Sequence, residues 1–199
     1  MLFEDPDPST IMVQLLIWMF FMMVWASAWL RSSIAVRTAH PWLDRLHLML
    51  VGTGVMLIVL SPLRWLPHEW LFSQSFLPNI NMVTNIGAGI TAAGMMLAIW
   101  ARFILGRQWN TTISIQENHE LIRRGPYRVV RHPIYTGVLL AALGSVLALH
   151  TVGAGIGLLL LFITYAAKIS REDRWLTKEL GESYAEYRRE VAAMVPWLY

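Results

Sequence analysis

The chain has 199 residues, of which 56% are hydrophobic and 15% charged. Soluble domains carry roughly 25% charged residues, so this composition excludes an ordinary water-soluble globule and points to a single membrane domain. The net charge is only +3, and the absence of cysteine excludes a disulfide scaffold, a thiolate metal site and a cysteine nucleophile.

Residues 11–30 form an uncharged stretch of about the twenty residues needed to cross a bilayer. Ala26-Ser27-Ala28 has the small-residue pattern of a cleavage site. Acidic Glu4, Asp5 and Asp7 precede it, however, and the apolar run is too long for a signal peptide, so it reads as a retained span. A second span fits 46–60, ended by Ser61-Pro62, and a third fits 80–101. Gly87, Gly89, Ala93 and Gly94 on the third predict close helix packing. The apolar tract 134–167 is too long for one crossing of about 30 Å. It reads as a tight helical hairpin turning near His150, which brings the total to about five transmembrane helices. Gly153, Gly155 and Gly157 lie in this tract with no preceding strand and no following acid, so they read as packing positions rather than a nucleotide loop. The ten Trp and six Tyr suit a protein with two water–lipid interfaces.

Lysine and arginine placement sets the expected orientation. All of the sixteen basic residues except Arg64 fall in 31–45, 102–132 or the tail from Lys168. The N-terminus is therefore expected outside, with the C-terminus and any active site in the cytoplasm, at a bacterial inner membrane or its equivalent. Residues 1–101 would supply three N-terminal spans and 102–199 a functional core.

Between the third and fourth spans, Arg107 to Tyr135 is the longest polar interval before the tail. Both of its ends are pinned to spans and apolar residues run through it, which argues for an ordered functional segment. Arg131-His132-Pro133 stands just before the fourth helix, with proline suited to a first helical position. A helix N-terminus offers free N–H groups and partial positive charge to an anion, and Arg131 adds a planar fork. In the tail, Ile169, Leu176, Leu180, Tyr184 and Tyr187 recur at helical spacing among mixed charges, predicting an amphipathic helix at the membrane surface. Most of those charges read as a solvated face; Glu172, at the junction of span and tail, would lie level with Arg131 and His132 across the hairpin.

At these residues the chain resembles the isoprenylcysteine carboxyl methyltransferase family, within the wider group that includes phospholipid N-methyltransferases. The match covers 109–197. It is carried by His119, Leu121, Ile122, Gly125, Tyr127, Arg131, His132, Pro133 and Tyr135, then Arg171-Glu172, then Gly181, Tyr184 and Tyr187, with Val195-Pro196 late. The resemblance implies an S-adenosylmethionine-dependent methyltransferase without a Rossmann domain: an all-α integral membrane protein with a cytoplasmic cofactor-binding segment and an amphipathic C-terminal helix. His119, Glu120, Leu121, Ile122 and Tyr127 would enclose the cofactor, opposite His132, Pro133, Ile134 and Tyr135. Glu172 matches the family's cofactor-binding glutamate, and Arg131 is the candidate for the cofactor's carboxylate; these two are the expected catalytic pair. Lys168 stands where the family often has a substrate-binding arginine, with Arg171 close enough to substitute. Lysine keeps the charge but loses the bidentate fork. A polar cofactor contact of some members would fall at Ser114.

The expected reaction is in-line attack on a sulfonium methyl group by a lipophilic acceptor entering from the bilayer, with no metal and no nucleic acid involved. A carboxylate acceptor needs no general base, whereas a lipid amine does. Prenylated proteins, short prenyl thioether acids, phosphatidylethanolamine and small thiols all fit a site open to lipid and cytosol. The alternatives are phospholipid N-methylation, a nicotinamide-dependent membrane reductase of related architecture, and a non-catalytic membrane module. Oligomeric state is left open by the sequence.

Overall fold

The computed structural model describes residues 5–29, 37–38, 41–63, 74–76, 81–106, 114–115 and 121–196. Among these residues six α-helices carry the fold: α1 (Pro8–Trp29), α2 (Pro41–Leu60), α3 (Asn81–Leu105), α4 (Pro133–Leu149), α5 (Val152–Leu180) and α6 (Glu182–Glu190). Four of them, α1, α2, α3 and α5, are long and apolar enough to cross a membrane, and α4 is a shorter apolar helix of 17 residues. The chain is an all-α integral membrane protein. A two-residue antiparallel ribbon, β1 (Arg37–Thr38) with β2 (Ser114–Ile115), ties the loop before α2 to the polar interval after α3.

The expected hairpin forms, with a turn that its own residues explain. His150 takes a left-handed conformation at φ 43° as the C-cap that ends α4, and Thr151 caps α5 by accepting from the Ala154 N–H at 3.4 Å. The N–H of Phe76 donates to the His150 carbonyl and that of Val152 to Gln74, so the short segment 74–76 closes the turn from outside. One expectation changes in length: α5 does not stop at Ala167 but runs unbroken for 29 residues, carrying Lys168, Arg171, Glu172 and Asp173 on the same rod as the span. No glycine or proline interrupts the junction, so the backbone hydrogen-bond ladder continues. The helix ends at Gly181, at φ 62°, and α6 follows as a separate turn of the amphipathic tail.

Small residues make the tightest contacts, as predicted for Gly87 and Gly94 but not for Gly89, which lies on the open side of α3 where a Cβ would meet nothing within 4 Å. A Cβ on Gly94 would lie 2.5 Å from the Ala141 nitrogen and the Gly137 carbonyl. This leaves α3 and α4 in backbone contact, the packing available where lipid offers no hydrophobic drive. Across this seam Ser145 donates to Gln14 at 3.0 Å and accepts from the Trp18 indole at 3.0 Å, fastening α1. Gly157 meets Gly54 in the same way between α5 and α2. The opposite faces of α1 and α2 expose Met12, Leu16, Met19, Phe20, Met23 and Met49, the surface that lipid would cover.

Candidate functional site

The site grows from a single 3₁₀ turn at Gly125–Arg128, where Gly125 has a positive φ of 60° and Pro126 starts the turn. This geometry aims the buried Tyr127 at α3, where its hydroxyl donates to the Ala101 carbonyl at 3.4 Å. The residues after the turn pair with the tail: the N–H groups of Arg131 and His132 donate to the carbonyls of Ala192 and Ala193 at 2.8 and 3.0 Å. Pro133 then opens α4 at its first position, as expected.

Asp173 is the hub of this end of the molecule. The carboxylate, buried at 5% exposure, accepts from an Arg131 terminal nitrogen at 2.9 Å and from the Tyr184 hydroxyl at 2.6 Å, and is 3.0 Å from His132 Nε2. Arg131 also donates to the carbonyls of Val191 and Arg188. Its two terminal nitrogens are thus committed to the tail rather than offered to an anion as the sequence suggests. Burial, followed by the Asp173 charge, pushes the Tyr184 hydroxyl up, and burial raises Tyr187 to about 12. Both therefore stay protonated donors at neutral pH, and Tyr187 donates to the Tyr127 carbonyl at 2.7 Å. Arg123 completes the docking by donating to the Ser183 carbonyl at 2.6 Å and pairing with Glu190 at 3.3 Å.

Glu172, one residue away, faces a different environment. It accepts from the Tyr135 hydroxyl at 2.9 Å and lies 3.9 Å from His132 Nδ1, while its side chain remains 26% exposed. Its second oxygen has no hydrogen bond among the described residues. His132, Tyr135 and Tyr165 stack with ring centroids 5.5 and 4.7 Å apart, and the buried Lys168 places its ammonium 5.9 Å from the Tyr135 ring centre. Among the described residues, a buried terminal nitrogen of Arg171 has no hydrogen-bond partner. Leu121 and Ile122 are half-buried beside this end, and Ile134 packs with Tyr127 on Ala101.

Of the residues singled out from sequence, the structure brings together Arg131, His132, Tyr135, Lys168, Glu172 and, one turn of α5 along, Arg171. Pro133 and Ile134 sit at the start of α4 as structural members of that group. His119 and Glu120 lie outside the described residues; Ser114 belongs to β2, opposite Thr38. Asp173 was grouped with the solvated charges, although a signal for it was present. The apolar stripe Ile169, Leu176, Leu180 passes through position 173, and an acid on a buried stripe must have partners.

Residues 87–178 match the model of the isoprenylcysteine carboxyl methyltransferase family. Over that segment, a little under half of its length, the chain is similar to members of this family. Protein-S-isoprenylcysteine O-methyltransferase B of Arabidopsis thaliana is 27% identical over 136 residues, covering 65% of this chain and 69% of that relative. Protein-S-isoprenylcysteine O-methyltransferase A of the same plant is 31% identical over 119 residues, covering 58% of this chain and 60% of the relative. The chain thus spans about two thirds of the length of these family members. The solved structure of a eukaryotic intramembrane Ras methyltransferase has the same fold, with a TM-score of 0.57 at 20% identity, covering 94% of this chain and 68% of that one. The family match ends at Lys178, so Tyr184, Tyr187 and residues 191–194 dock onto the matched segment from outside it.

Proposed function

We propose that this chain is an integral membrane methyltransferase that transfers a methyl group from S-adenosylmethionine to the carboxylate of a prenylcysteine-like lipid. The observation that carries the reading is Glu172. It is a carboxylate at the mouth of a buried network, oriented by Tyr135 and His132, with one oxygen unengaged among the described residues and a buried lysine one turn away on the same helix. The names of the relatives support the reaction class.

The residues suit the donor. Glu172 is an acceptor for ribose hydroxyls or an ammonium group, the buried nitrogen of Arg171 is a donor for an anion, and Leu121 and Ile122 offer apolar surface. When bound, S-adenosylmethionine supplies an electrophilic methyl group on a sulfonium centre. Tyr135, by donating to Glu172, fixes which carboxylate oxygen faces the ligand. Arg131 and His132 act as positioning residues: they hold Asp173, and so the face of α5 that carries Glu172, against the start of α4. Lys168 and Arg171 are the cations available to an acceptor carboxylate, which is already ionised at neutral pH and needs no base. Alignment and exclusion of water do the remaining work. The orientation that suits this chemistry has the N-terminus outside and the site facing the cytoplasm.

The test is binding of labelled S-adenosylmethionine to purified protein in detergent, with a nicotinamide dinucleotide as competitor, followed by mass spectrometry of methyl transfer to prenyl thioether acids and to phosphatidylethanolamine. Saturable binding, indifferent to the dinucleotide and lost in Glu172→Gln and His132→Ala, is expected, together with ester formation on the acid. Full affinity in both variants removes the site assignment, and methylated phosphatidylethanolamine without ester replaces the acceptor.

A further inference from the structure

The second helix enters the site from a part of the chain where the sequence showed only hydrophobicity. Helices α2 and α5 run antiparallel in close register: Gly157 packs on Gly54 and Ile58, and Gly54 on Leu161. Further along, the His47 ring lies 5.6 Å from that of Tyr165. One more turn of this ladder sets Asp44 of α2 level with Lys168 of α5. The polar end of the seam is closed to solvent, with Asp44 at 1%, Lys168 at 4% and His47 at 6% exposure. The charges acting on Lys168 are Glu172, Asp44 and Arg171, and those acting on His47 are Lys168 and Arg171. A seam that served packing alone would continue the Gly54–Gly157 pattern; an acid buried in a membrane helix is costly and is kept for a charged partner.

Resting on the reading of Lys168 as the cation for the acceptor's carboxylate, we propose that Asp44 is a positioning residue for acceptor recognition: it keeps the Lys168 ammonium charged and held beside Tyr135. The acceptor pocket is then built partly from α2, outside the segment 87–178 that matches the family model. A buried ammonium without a counter-charge loses its charge readily, whereas a guanidinium does not. Asp44 therefore decides whether a lysine can serve at a position where an arginine would manage alone.

The experiment uses the full chain in detergent with a prenyl thioether acid and its carboxamide, which differ only in charge. In Asp44→Asn the KM for the acid is expected to rise about tenfold or more, equivalent to at least about 1.4 kcal/mol. The S-adenosylmethionine affinity and the inhibition constant of the carboxamide stay as in the wild type. Asp44→Glu regains most of the loss, and Asp44→Asn/Lys168→Arg regains preference for the acid. If the Asn variant does not fold, Asp44→Asn/Lys168→Met removes both charges, and it is expected to fold and to bind acid and amide alike. An unchanged KM in Asp44→Asn overturns the inference. An equal weakening of the carboxamide or of S-adenosylmethionine also overturns it, since Asp44 is then a helix clip. If the wild type binds no S-adenosylmethionine and forms no ester, the underlying reading of the site fails, and this inference falls with it.

Discussion

Replacing Asp173 by asparagine removes one charge while nearly preserving shape, and so isolates what the hub contributes. The carboxylate serves Arg131, His132 and Tyr184 at once, and the Arg131 side chain is only 8% exposed. In the variant that guanidinium keeps its bonds to the carbonyls of Val191 and Arg188 but loses the one acid it touches among the described residues. Breaking a buried pair from one side costs about 3–5 kcal/mol, because a charge is left uncompensated. At about 2–4 °C per kcal/mol for a chain of this size, the purified variant is expected to melt roughly 6–20 °C below the wild type in the same detergent. Hydrogen exchange should rise first at 130–132 and 191–193, whose backbone pairing the network clamps. Glu172→Gln is the control. Its side chain is 26% exposed and keeps a hydrogen-bond acceptor for Tyr135, so its cost is about 1 kcal/mol or less. Asp173→Asn/Arg131→Met should recover much of the loss, since no lone charge remains. Wild-type melting of Asp173→Asn, or equal destabilisation in the two neighbouring acids, refutes the division of labour.

Gly94→Leu should force α3 from α4, because even a Cβ there meets backbone at 2.5 Å; a loss of at least about 1–3 kcal/mol is expected in thermal melts, whereas Gly89→Leu, with nothing within 4 Å, should be nearly silent. The Tyr187 hydroxyl is raised by burial from 10 to about 12, so its stabilising share is complete below pH 10 and lost as pH climbs through 12. Denaturation scans in that window should show the decline, with a smaller slope in Tyr187→Phe. A reporter fused after Tyr199 should be active only in the cytoplasm, and periplasmic activity reverses the proposed orientation.

The spans, the hairpin and the packing role of Gly87, Gly94 and Gly157 were readable from sequence because each rests on a one-dimensional signal: apolar length, a Gly- and His-bearing interruption, or small residues at helical spacing; which glycines face lipid instead, as Gly89 does, was not. The continuous α5 was not readable, since a composition change at Lys168 looks like the end of a span although nothing there breaks a helix. The same boundary misplaced the charges. Read as the start of a surface helix, Asp173 joins a mixed polar run; on an unbroken rod it falls on the stripe of Ile169 and Leu176 and has to be buried with partners. Glu172 was legible because its neighbour across the hairpin could be guessed from Arg131-His132-Pro133. Asp44 was not, because its significance depends on a pairing of α2 with α5 that sets it level with Lys168, more than a hundred positions away in sequence.

The consequence for the site is a separation of duties between adjacent acids. Successive residues on a helix point about 100° apart, so Glu172 and Asp173 meet only at the His132 ring, on different nitrogens, and otherwise have separate partners. Asp173 looks toward the tail and binds donors that never leave it; Glu172 looks toward Tyr135 and retains an open oxygen. The buried acid fixes the register of α5 against α4 and α6, and that register places the exposed acid at the stacked rings and one turn from Lys168. A change at Asp173 should therefore reach the ligand only through position, lowering affinity and stability together, while a change at Glu172 should lower affinity alone.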